Sequence, residues 1–276
     1  DIFLNEQKKG NPITGVIHFA GLKSVNESIN KPLKYWDFNL ISTINLLKVM
    51  NLNGCRTIVF SSSASVYGSK NENLIFEDQK LEPINPYGQT KFVIETILRN
   101  LFESSSREWK IINLRYFNPI GAHSSGLIGE VPNGIPNNIF PLIMQVALRN
   151  IEFFKIYGKN WPTSDGTGIR DYIHVMDLAN GHLLALEHLL RSSSKILSVN
   201  LGTGLGTSVL KLIRTFERVN KIKIPFEYAE RRPGDAAIVV ADNSLAKNIL
   251  EWKPKKTLED MCLDGWRWQK KNPKGF

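Results

Sequence analysis

The chain has 276 residues, of which 42% are hydrophobic and 22% are charged, a composition typical of a globular protein with a large core. It shows neither a charged-then-apolar leader nor a long apolar run, so we expect no signal peptide and no membrane span. The net charge is +9, but the basic residues are scattered and not interleaved with aromatics, which disfavours nucleic acid and favours a nucleotide-sized anion as partner.

The first half of the chain alternates short apolar runs with helical patterns. We expect a helix over residues 1–9, a strand over 15–20, a helix from about residue 33, a strand over 57–60, a helix over 86–102 and a strand over 110–117. This alternation is typical of a parallel sheet covered by helices. Ligands bind at the carboxyl ends of such strands, so we expect a site near Gly21, Ser63 and Asn118.

The second half is less regular. We expect a long loop over 118–138, a helix over 141–149, strands over 153–157 and 170–175, a helix over 176–190, a strand over 196–201, a helix over 209–219, a strand over 225–228 and helices near 244–250 and 258–269. A loop as long as 118–138 within a domain is often functional.

Residues 85–91 read Asn-Pro-Tyr-Gly-Gln-Thr-Lys and predict the start of a helix, with Asn85 as N-cap and proline in the first turn. Tyr87 and Lys91 then lie one turn apart on the same face. A neighbouring ammonium favours the phenolate, so Tyr87 is a candidate acid/base near neutral pH. The alternative is a packed tyrosine and a solvated lysine. The serine run Ser61–Ser63, at the end of a predicted strand, favours the functional interpretation.

Two further motifs leave alternatives open. The sequence Gly202-Thr203-Gly204-Leu205-Gly206 lies between a strand and a helix, but its spacing is not that of a dinucleotide-binding loop, and a tight turn is favoured over a phosphate loop. Arg231 and Arg232 precede Pro-Gly and are interpreted either as a phosphate-binding pair or as a solvated turn. Arg170 could pair with its neighbour Asp171.

Metal and nucleophile chemistry are disfavoured by spacing. The five histidines form no compact ligand pair, and His18, inside a strand, is interpreted as a hydrogen-bonded core residue. Cys55 and Cys262 have no metal-binding spacing, and we expect no disulfide framework, which fits a reducing cytoplasm. We therefore expect no metal site, and the absence of G-x-S-x-G disfavours a serine hydrolase.

Several strings together resemble the UDP-glucose 4-epimerase family, part of the extended short-chain dehydrogenase/reductases. They are residues 19–23 (FAGLK), 61–68 (SSSASVYG), 87–91 (YGQTK), 115–119 (RYFNP), 134–138 (GIPNN), 165–175 (DGTGIRDYIHV), 231–235 (RRPGD) and 266–269 (WRWQ). The resemblance implies an α/β fold: a Rossmann-like doubly wound parallel sheet, missing its first strands and glycine loop, in residues 1–117. It implies a smaller α/β substrate domain mainly in residues 118–276, with segments returning to the first domain.

The resemblance also implies an activity, the interconversion of UDP-galactose and UDP-glucose by transient oxidation at the sugar C4 with bound NAD. Tyr87 would take the proton of the sugar 4-hydroxyl, Ser63 would orient that hydroxyl, and Lys91 would hold the nicotinamide ribose. Lys91 and the cationic nicotinamide would together lower the pKa of Tyr87.

The same resemblance assigns binding residues and a homodimer. The residues assigned to NAD are Phe19, Ala20, Gly21, Leu22, Lys23, Asn39, Ser61, Ser62, Tyr87, Lys91 and Phe117. Those assigned to the UDP-sugar are Ser63, Tyr87, Asn118, Asn138, Ile139, Lys155, Ile156, Tyr157, Arg170, Arg232, Asp235 and Val239. The expected dimer contacts are the helices near residues 33–50 and 86–102.

Two departures from the family pattern matter. The chain starts at Asp1 and contains no Gly-x-x-Gly-x-x-Gly fingerprint, so we expect residues upstream, and we expect the printed chain to bind NAD poorly and be inactive while the full-length protein is active. Val239 is small where forms restricted to UDP-glucose and UDP-galactose often carry a large aromatic, which leaves room for N-acetylated sugars. The alternatives are another nucleotide-sugar epimerase or decarboxylase of this fold and a non-catalytic binding or scaffold homologue.

Overall fold

A computed structural model describes residues 1–69, 74–104, 108–132, 134, 136–232 and 234–275, so Ile135 and Pro233 of the quoted strings lie outside the described residues. The helices are α1 (Ile2–Lys8), α2 (Val25–Asn30), α3 (Pro32–Tyr35), α4 (Ser42–Leu52), α5 (Pro86–Ser104), α6 (Ile139–Ala147), α7 (Val175–Arg191), α8 (Val209–Asn220), α9 (Ser244–Leu250) and α10 (Leu258–Lys271). The strands are β1 (Val16–His18), β2 (Thr57–Ser61), β3 (Lys110–Tyr116), β4 (Asn118–Ile120), β5 (Phe154–Tyr157), β6 (Ile169–His174), β7 (Lys195–Leu201), β8 (Gly206–Ser208), β9 (Phe226–Ala229) and β10 (Ile238–Val239).

The main sheet is parallel, with the strand order β1-β2-β3-β7. All five residues of β2 are buried, as expected for a strand with helices on both faces. Ile58 and Phe60 pack in a core with α4 and α5, whereas Val59 points to the opposite core with α7. Full burial of one such aliphatic side chain stabilises the fold by about 1.5–3 kcal/mol. The predicted helix-covered parallel sheet is confirmed.

The second half of the chain builds smaller sheets over a core of its own. Strands β10, β6 and β4 form a parallel set, to which β8 adds in antiparallel orientation, and β5 pairs with β9. Helices α6, α8 and α10 meet in this core, where the Phe216 ring makes edge contacts with Phe140 and Trp266. Strand β7 belongs to the main sheet, so the chain returns to it after residue 118. The division at residue 117 stays a prediction.

A wide, π-helical turn over Trp36–Ile41 joins α3 to α4. The wider hydrogen-bond spacing of such a turn leaves carbonyl groups that neighbouring hydroxyls can bind. The hydroxyl of Thr43 donates to the carbonyl of Asn39 at 2.7 Å, and that of Ser42 donates to the carbonyl of Phe38. The Asn39 side chain is 1% exposed and therefore points into the protein.

Some elements differ from the sequence-based expectation. The predicted loop 118–138 begins with strand β4, and β8 and β10 were not predicted, because runs of two or three residues carry no measurable periodicity. Helix α2 was also missed. Its signal was the S-x-x-E pattern from Ser24 to Glu27, since the Ser24 side chain accepts a hydrogen bond from the Glu27 backbone N–H.

The glycine-rich segment 202–206 is a turn held by a buried carboxylate. Asp171, which is 0% exposed, accepts hydrogen bonds from the backbone N–H groups of Thr203 (2.8 Å), Gly204 (3.0 Å) and Ala241 (3.2 Å). Gly204 has a φ of +74°, which favours glycine. These N–H groups are therefore committed to an internal carboxylate, and the tight turn, not the phosphate loop, is confirmed.

No helix among the residues in the described ranges is long and apolar enough to cross a membrane. Cys55 and Cys262 are buried free thiols. The part of the chain that the structure describes contains no group of three His, Cys, Asp or Glu side chains that could hold a metal ion.

Candidate active site

The start of α5 places the predicted acid/base pair against the end of β2. The side chain of Asn85 accepts a hydrogen bond from the backbone N–H of Gly88 at 2.8 Å, and α5 begins at Pro86, so the predicted cap is confirmed. Tyr87 and Lys91 are 8% and 4% exposed, which brings both functional groups into the protein instead of leaving the lysine solvated.

Two contacts join this helix to the serine run. Lys91 Nζ donates to the carbonyl oxygen of Ser61 at 2.6 Å, and the Ser63 side chain lies close enough to Tyr87 to act against the rise of its pKa. Lys91 Nζ lies 5.8 Å from the centroid of the Tyr87 ring. The structure thus brings together the three residues predicted to be catalytic.

Burial controls the protonation of this pair. In the protein alone, burial raises the pKa of Tyr87 above its usual range, with the nearby Ser63 hydroxyl acting in the opposite direction, and burial lowers the pKa of Lys91 to about 8. The lowering of the Tyr87 pKa expected with the cationic nicotinamide stays a prediction.

The loop after β1 lies beside Lys91. Asn39 holds this loop, because its Oδ1 accepts from the Leu22 N–H at 2.7 Å and its Nδ2 donates to the Leu22 carbonyl at 3.1 Å. The same Nδ2 donates to Thr90 Oγ1 at 3.0 Å, which ties the loop to α5. A methyl group on Gly21 would lie 3.2 Å from Asn39 Oδ1 and 3.9 Å from Lys91 Nζ. Phe19, Ala20, Gly21 and Lys23 are exposed.

His18, at the end of β1, is buried and its Nε2 lies 2.9 Å from Thr43 Oγ1. Burial and the Lys91 charge lower the pKa of His18 to about 4, so the imidazole is neutral at pH 7. The interpretation of His18 as a hydrogen-bonded core residue is confirmed.

A cleft of about 350 Å³ lies between α2 and the sheets of the second half. It is lined by nine of the residues predicted to hold the UDP-sugar: Asn118, Asn138, Ile139, Lys155, Ile156, Tyr157, Arg170, Arg232 and Asp235. A second cavity of about 190 Å³ shares Asn118, Arg170 and Asp235 with the cleft and is also lined by Ser63, Phe117 and Val239. Through Ser63 the second cavity reaches the acid/base pair, and through the shared residues it reaches the cleft.

Two guanidinium groups face one carboxylate where the cavities meet. Arg232 Nε donates to Asp235 Oδ2 at 3.0 Å, and Arg170 Nη2 lies 3.7 Å from Asp235 Oδ1. Arg170 therefore pairs with Asp235, not with Asp171, which binds the glycine turn. Burial lowers the pKa of Arg170, as expected for a cation withdrawn from water. Two cations and one anion leave a net positive charge, which suits a diphosphate.

Some lining residues were missed by sequence reasoning. Tyr172 lines the cleft, is 3% exposed, and its hydroxyl has no hydrogen-bond partner among the described residues. Trp161 also lines the cleft, with the Arg231 guanidinium 4.0 Å from its ring centroid. Tyr116, which lines neither cavity, was also missed, and its hydroxyl contacts that of Ser61. Arg170 and Tyr172 are two residues apart on β6, so their side chains point to the same face of the strand. This spacing was the signal from which Tyr172 could have been predicted.

Comparison with known proteins agrees with this geometry. The family model described as GDP-mannose 4,6 dehydratase matches residues 7–264. The UDP-glucose 4-epimerase of Bacillus subtilis is 52% identical over 266 residues, which are 96% of this chain and 78% of the relative. UDP-glucose 4-epimerase 1 of Oryza sativa subsp. japonica is 54% identical over 263 residues, 95% of this chain and 74% of the relative.

Solved structures show the same fold. The UDP-glucose 4-epimerase of Stenotrophomonas maltophila, crystallised with NAD and formylated UDP-arabinopyranose, superposes with a TM-score of 0.93 at 45% identity and covers 98% of this chain and 79% of that one. The Bifidobacterium longum enzyme, in complex with NAD⁺ and UDP, gives a TM-score of 0.91 at 46% identity over 99% of this chain and 81% of that one. The main sheet is thus Rossmann-like, and the chain belongs to the UDP-glucose 4-epimerase family.

Proposed function

We propose that this protein interconverts UDP-galactose and UDP-glucose by reversible oxidation at the sugar C4 with bound NAD. The observation that carries the proposal is the continuity of the site. Lys91 binds the carbonyl of Ser61, Tyr87 lies near Ser63, Ser63 lines the smaller cavity, and that cavity shares Arg170 and Asp235 with the larger cleft. One sugar nucleotide can therefore place its diphosphate near the arginines and its sugar near Tyr87.

The residues present fit the nicotinamide end of NAD. The loop after β1 exposes Phe19, Ala20 and Gly21, and a side chain at Gly21 would crowd Asn39 Oδ1 and approach Lys91 Nζ. We propose that this loop holds the cofactor together with the remaining assigned residues, Leu22, Lys23, Asn39, Ser61, Ser62 and Phe117. When bound, NAD supplies the hydride-accepting chemistry of the reaction.

The protein's own groups move the proton. With its raised pKa, Tyr87 keeps its proton at neutral pH in the free protein, so its hydroxyl can donate a proton to a sugar alkoxide. To accept the 4-hydroxyl proton, Tyr87 needs a positive charge beside it. Lys91, with a pKa of about 8, is mostly protonated at pH 7 and provides that charge. Ser63 orients the reacting hydroxyl through its contact with Tyr87.

A direct assay tests the proposal. Residues 1–276 contain no glycine fingerprint, and for this reason we expect them to bind NAD weakly and to show little turnover. This expectation stays a prediction. We expect UDP-galactose to be converted to UDP-glucose when the family's glycine-rich strand–loop–helix is fused ahead of Asp1; we call this fusion the extended protein. Both proteins are assayed with NAD by coupling UDP-glucose formation to UDP-glucose dehydrogenase. Absence of turnover in the extended protein would contradict the function, and it would favour the scaffold alternative.

Val239 gives a prediction about the sugar. It lines the smaller cavity beside Ser63, and its isopropyl group occupies less space than an aromatic ring. We therefore expect the extended protein to convert UDP-N-acetylgalactosamine as well as UDP-galactose. Val239→Tyr should abolish turnover of the N-acetylated sugar and change that of UDP-galactose by less than about tenfold. Rates are compared on both substrates. A wild-type enzyme inactive on the acetylated sugar would refute the proposal.

The surface formed by α3, the π-helical turn and α4 supports a homodimer. Leu33, Phe38, Ile41 and Val49 are 82%, 56%, 51% and 40% exposed, and large exposed apolar patches mark interaction sites. The expected partner is a second copy of this chain. Sedimentation velocity should show a dimer, and Phe38→Asp should shift it to monomer. The control is Leu205→Asp, which changes a side chain 72% exposed on the turn after β7. A monomeric wild type would exclude the dimer.

Two further statements stay predictions. A UDP-glucuronate 4-epimerase or decarboxylase of the same fold is separated from the favoured function by assaying UDP-glucuronate beside UDP-galactose. The cytoplasmic location is proposed from cysteine usage in the sequence.

A further inference from the structure

A third side chain of α5 contacts the serine run. The hydroxyl of Ser62 donates to Glu95 Oε1, one helical turn beyond Lys91. Residues four apart lie on the same helix face. Lys91 and Glu95 thus bind Ser61 and Ser62, and Tyr87 on the same face lies near Ser63. The first two belong to the proposed proton-transfer machinery, whereas Glu95 touches neither cavity.

Arg115 on β3 fixes the Glu95 carboxylate. Its Nη2 donates to Oε2 at 2.6 Å and its Nε donates to Oε1 at 3.0 Å, and the two side chains are 3% and 4% exposed. Its Nη1 donates to the Tyr67 hydroxyl and to the Glu77 carbonyl, both at 3.0 Å. Glu95 on α5 is thus bound to β3 and to the residue that follows β2. Because a buried ion pair is often no more stabilising than an apolar pair, its presence here points to a role other than stability.

We propose that Glu95, held by Arg115, is a positioning residue for proton transfer: it sets the placement of α5 against the end of β2 and fixes a carboxylate one helical turn from Lys91. This inference rests on the proposed function for its catalytic meaning, but the interaction of Glu95 with Lys91 can be measured without turnover.

The charges around Lys91 support the second part of this role. Burial lowers the pKa of Lys91, and the negative charge of Glu95 raises it. Among the residues that the structure describes, the other titratable groups near Lys91 are His18 from β1 and Tyr87 from α5, both neutral at pH 7, and Arg115 is paired with Glu95. The negative charge that acts on Lys91 therefore comes from Glu95.

The first experiment measures the Lys91 pKa by NMR in residues 1–276 labelled with ¹³C at lysine Cε; the Lys91→Arg spectrum identifies the signal. We expect Glu95→Gln to lower this pKa by about one pH unit or more. The control is Glu103→Gln, the same change at an exposed position two turns further along α5. An unchanged Lys91 pKa in folded Glu95→Gln would overturn the charge role.

Glu95→Gln leaves Arg115 buried without a countercharge, and this change alone can prevent folding. The second variant, Glu95→Gln with Arg115→Gln, removes both charges and should keep a Tm near that of the wild type. Its Lys91 pKa should still fall. When the double variant is made in the extended protein, kcat should fall about 10–100-fold, while KM for UDP-galactose should stay nearly unchanged. A small displacement of Tyr87 and Lys91 affects the geometry of proton transfer more than it affects substrate binding. An unchanged kcat would overturn the positioning role. If the wild-type extended protein shows no turnover, the proposed function fails, while the Lys91 pKa still decides whether Glu95 acts on Lys91.

Discussion

Tyr87→Phe should lower the kcat of the extended protein by about 10³-fold while leaving the fold and UDP-sugar binding in place. The substitution removes the hydroxyl near Ser63 and keeps the buried ring, so the cost in stability should be about 1 kcal/mol. The measurement is kcat and KM for UDP-galactose by the coupled assay, with binding of UDP followed by calorimetry.

The matched control is Tyr228→Phe, the same chemical change at a tyrosine that is 46% exposed on β9. It should leave kcat within about twofold of the wild type, as expected for a surface substitution. Retention of more than a tenth of the activity by Tyr87→Phe would rule out its hydroxyl as the group that moves the proton.

Asp171→Ala should destabilise the protein by about 3–5 kcal/mol. Three backbone N–H groups, those of Thr203, Gly204 and Ala241, would lose their acceptor inside the protein. Each buried unsatisfied donor costs about 1–3 kcal/mol, and the space left by the carboxylate lies where water enters with difficulty. The free energy of unfolding of residues 1–276 in urea is the measurement.

Two controls separate this effect from a general loss of charge. Asp171→Asn keeps one acceptor oxygen and should lose about half as much stability. Asp78→Ala changes an exposed aspartate and should stay within about 0.5 kcal/mol of the wild type. A stable Asp171→Ala variant would mean that the turn over residues 202–206 does not depend on this carboxylate.

The features predicted correctly from the sequence are those set by short-range patterns. The Asn85 cap, the one-turn separation of Tyr87 and Lys91 and the apolar runs of the main sheet follow from spacing along a few residues. They place the acid/base pair and the serine run at one edge of the sheet. The resemblance supplied the residues around the cleft, which no periodicity could have grouped.

The features that were missed depend on contacts between distant residues. Arg170 has an aspartate as its neighbour, yet its partner is Asp235, 65 positions later, because Asp171 points to the glycine turn. Burial raises the pKa of Tyr87 in the protein alone, and the extent of that burial cannot be read from the sequence. The ion pair of Glu95 with Arg115 joins α5 to β3, and the sequence around either residue does not show that the other is its partner.

The π-helical turn over Trp36–Ile41 sets the direction in which the side chains of α4 point, because α4 continues directly from this turn. Deletion of one residue there would turn the rod by about 100° ahead of α4. Asn39 would then face away from Leu22, and the exposed apolar side chains at positions 41 and 49 would no longer line up with Phe38. The π-helical turn therefore links two features, the hydrogen bonds from Asn39 to Leu22 and the direction of the surface proposed for dimerisation. An insertion or deletion in this turn would alter both together.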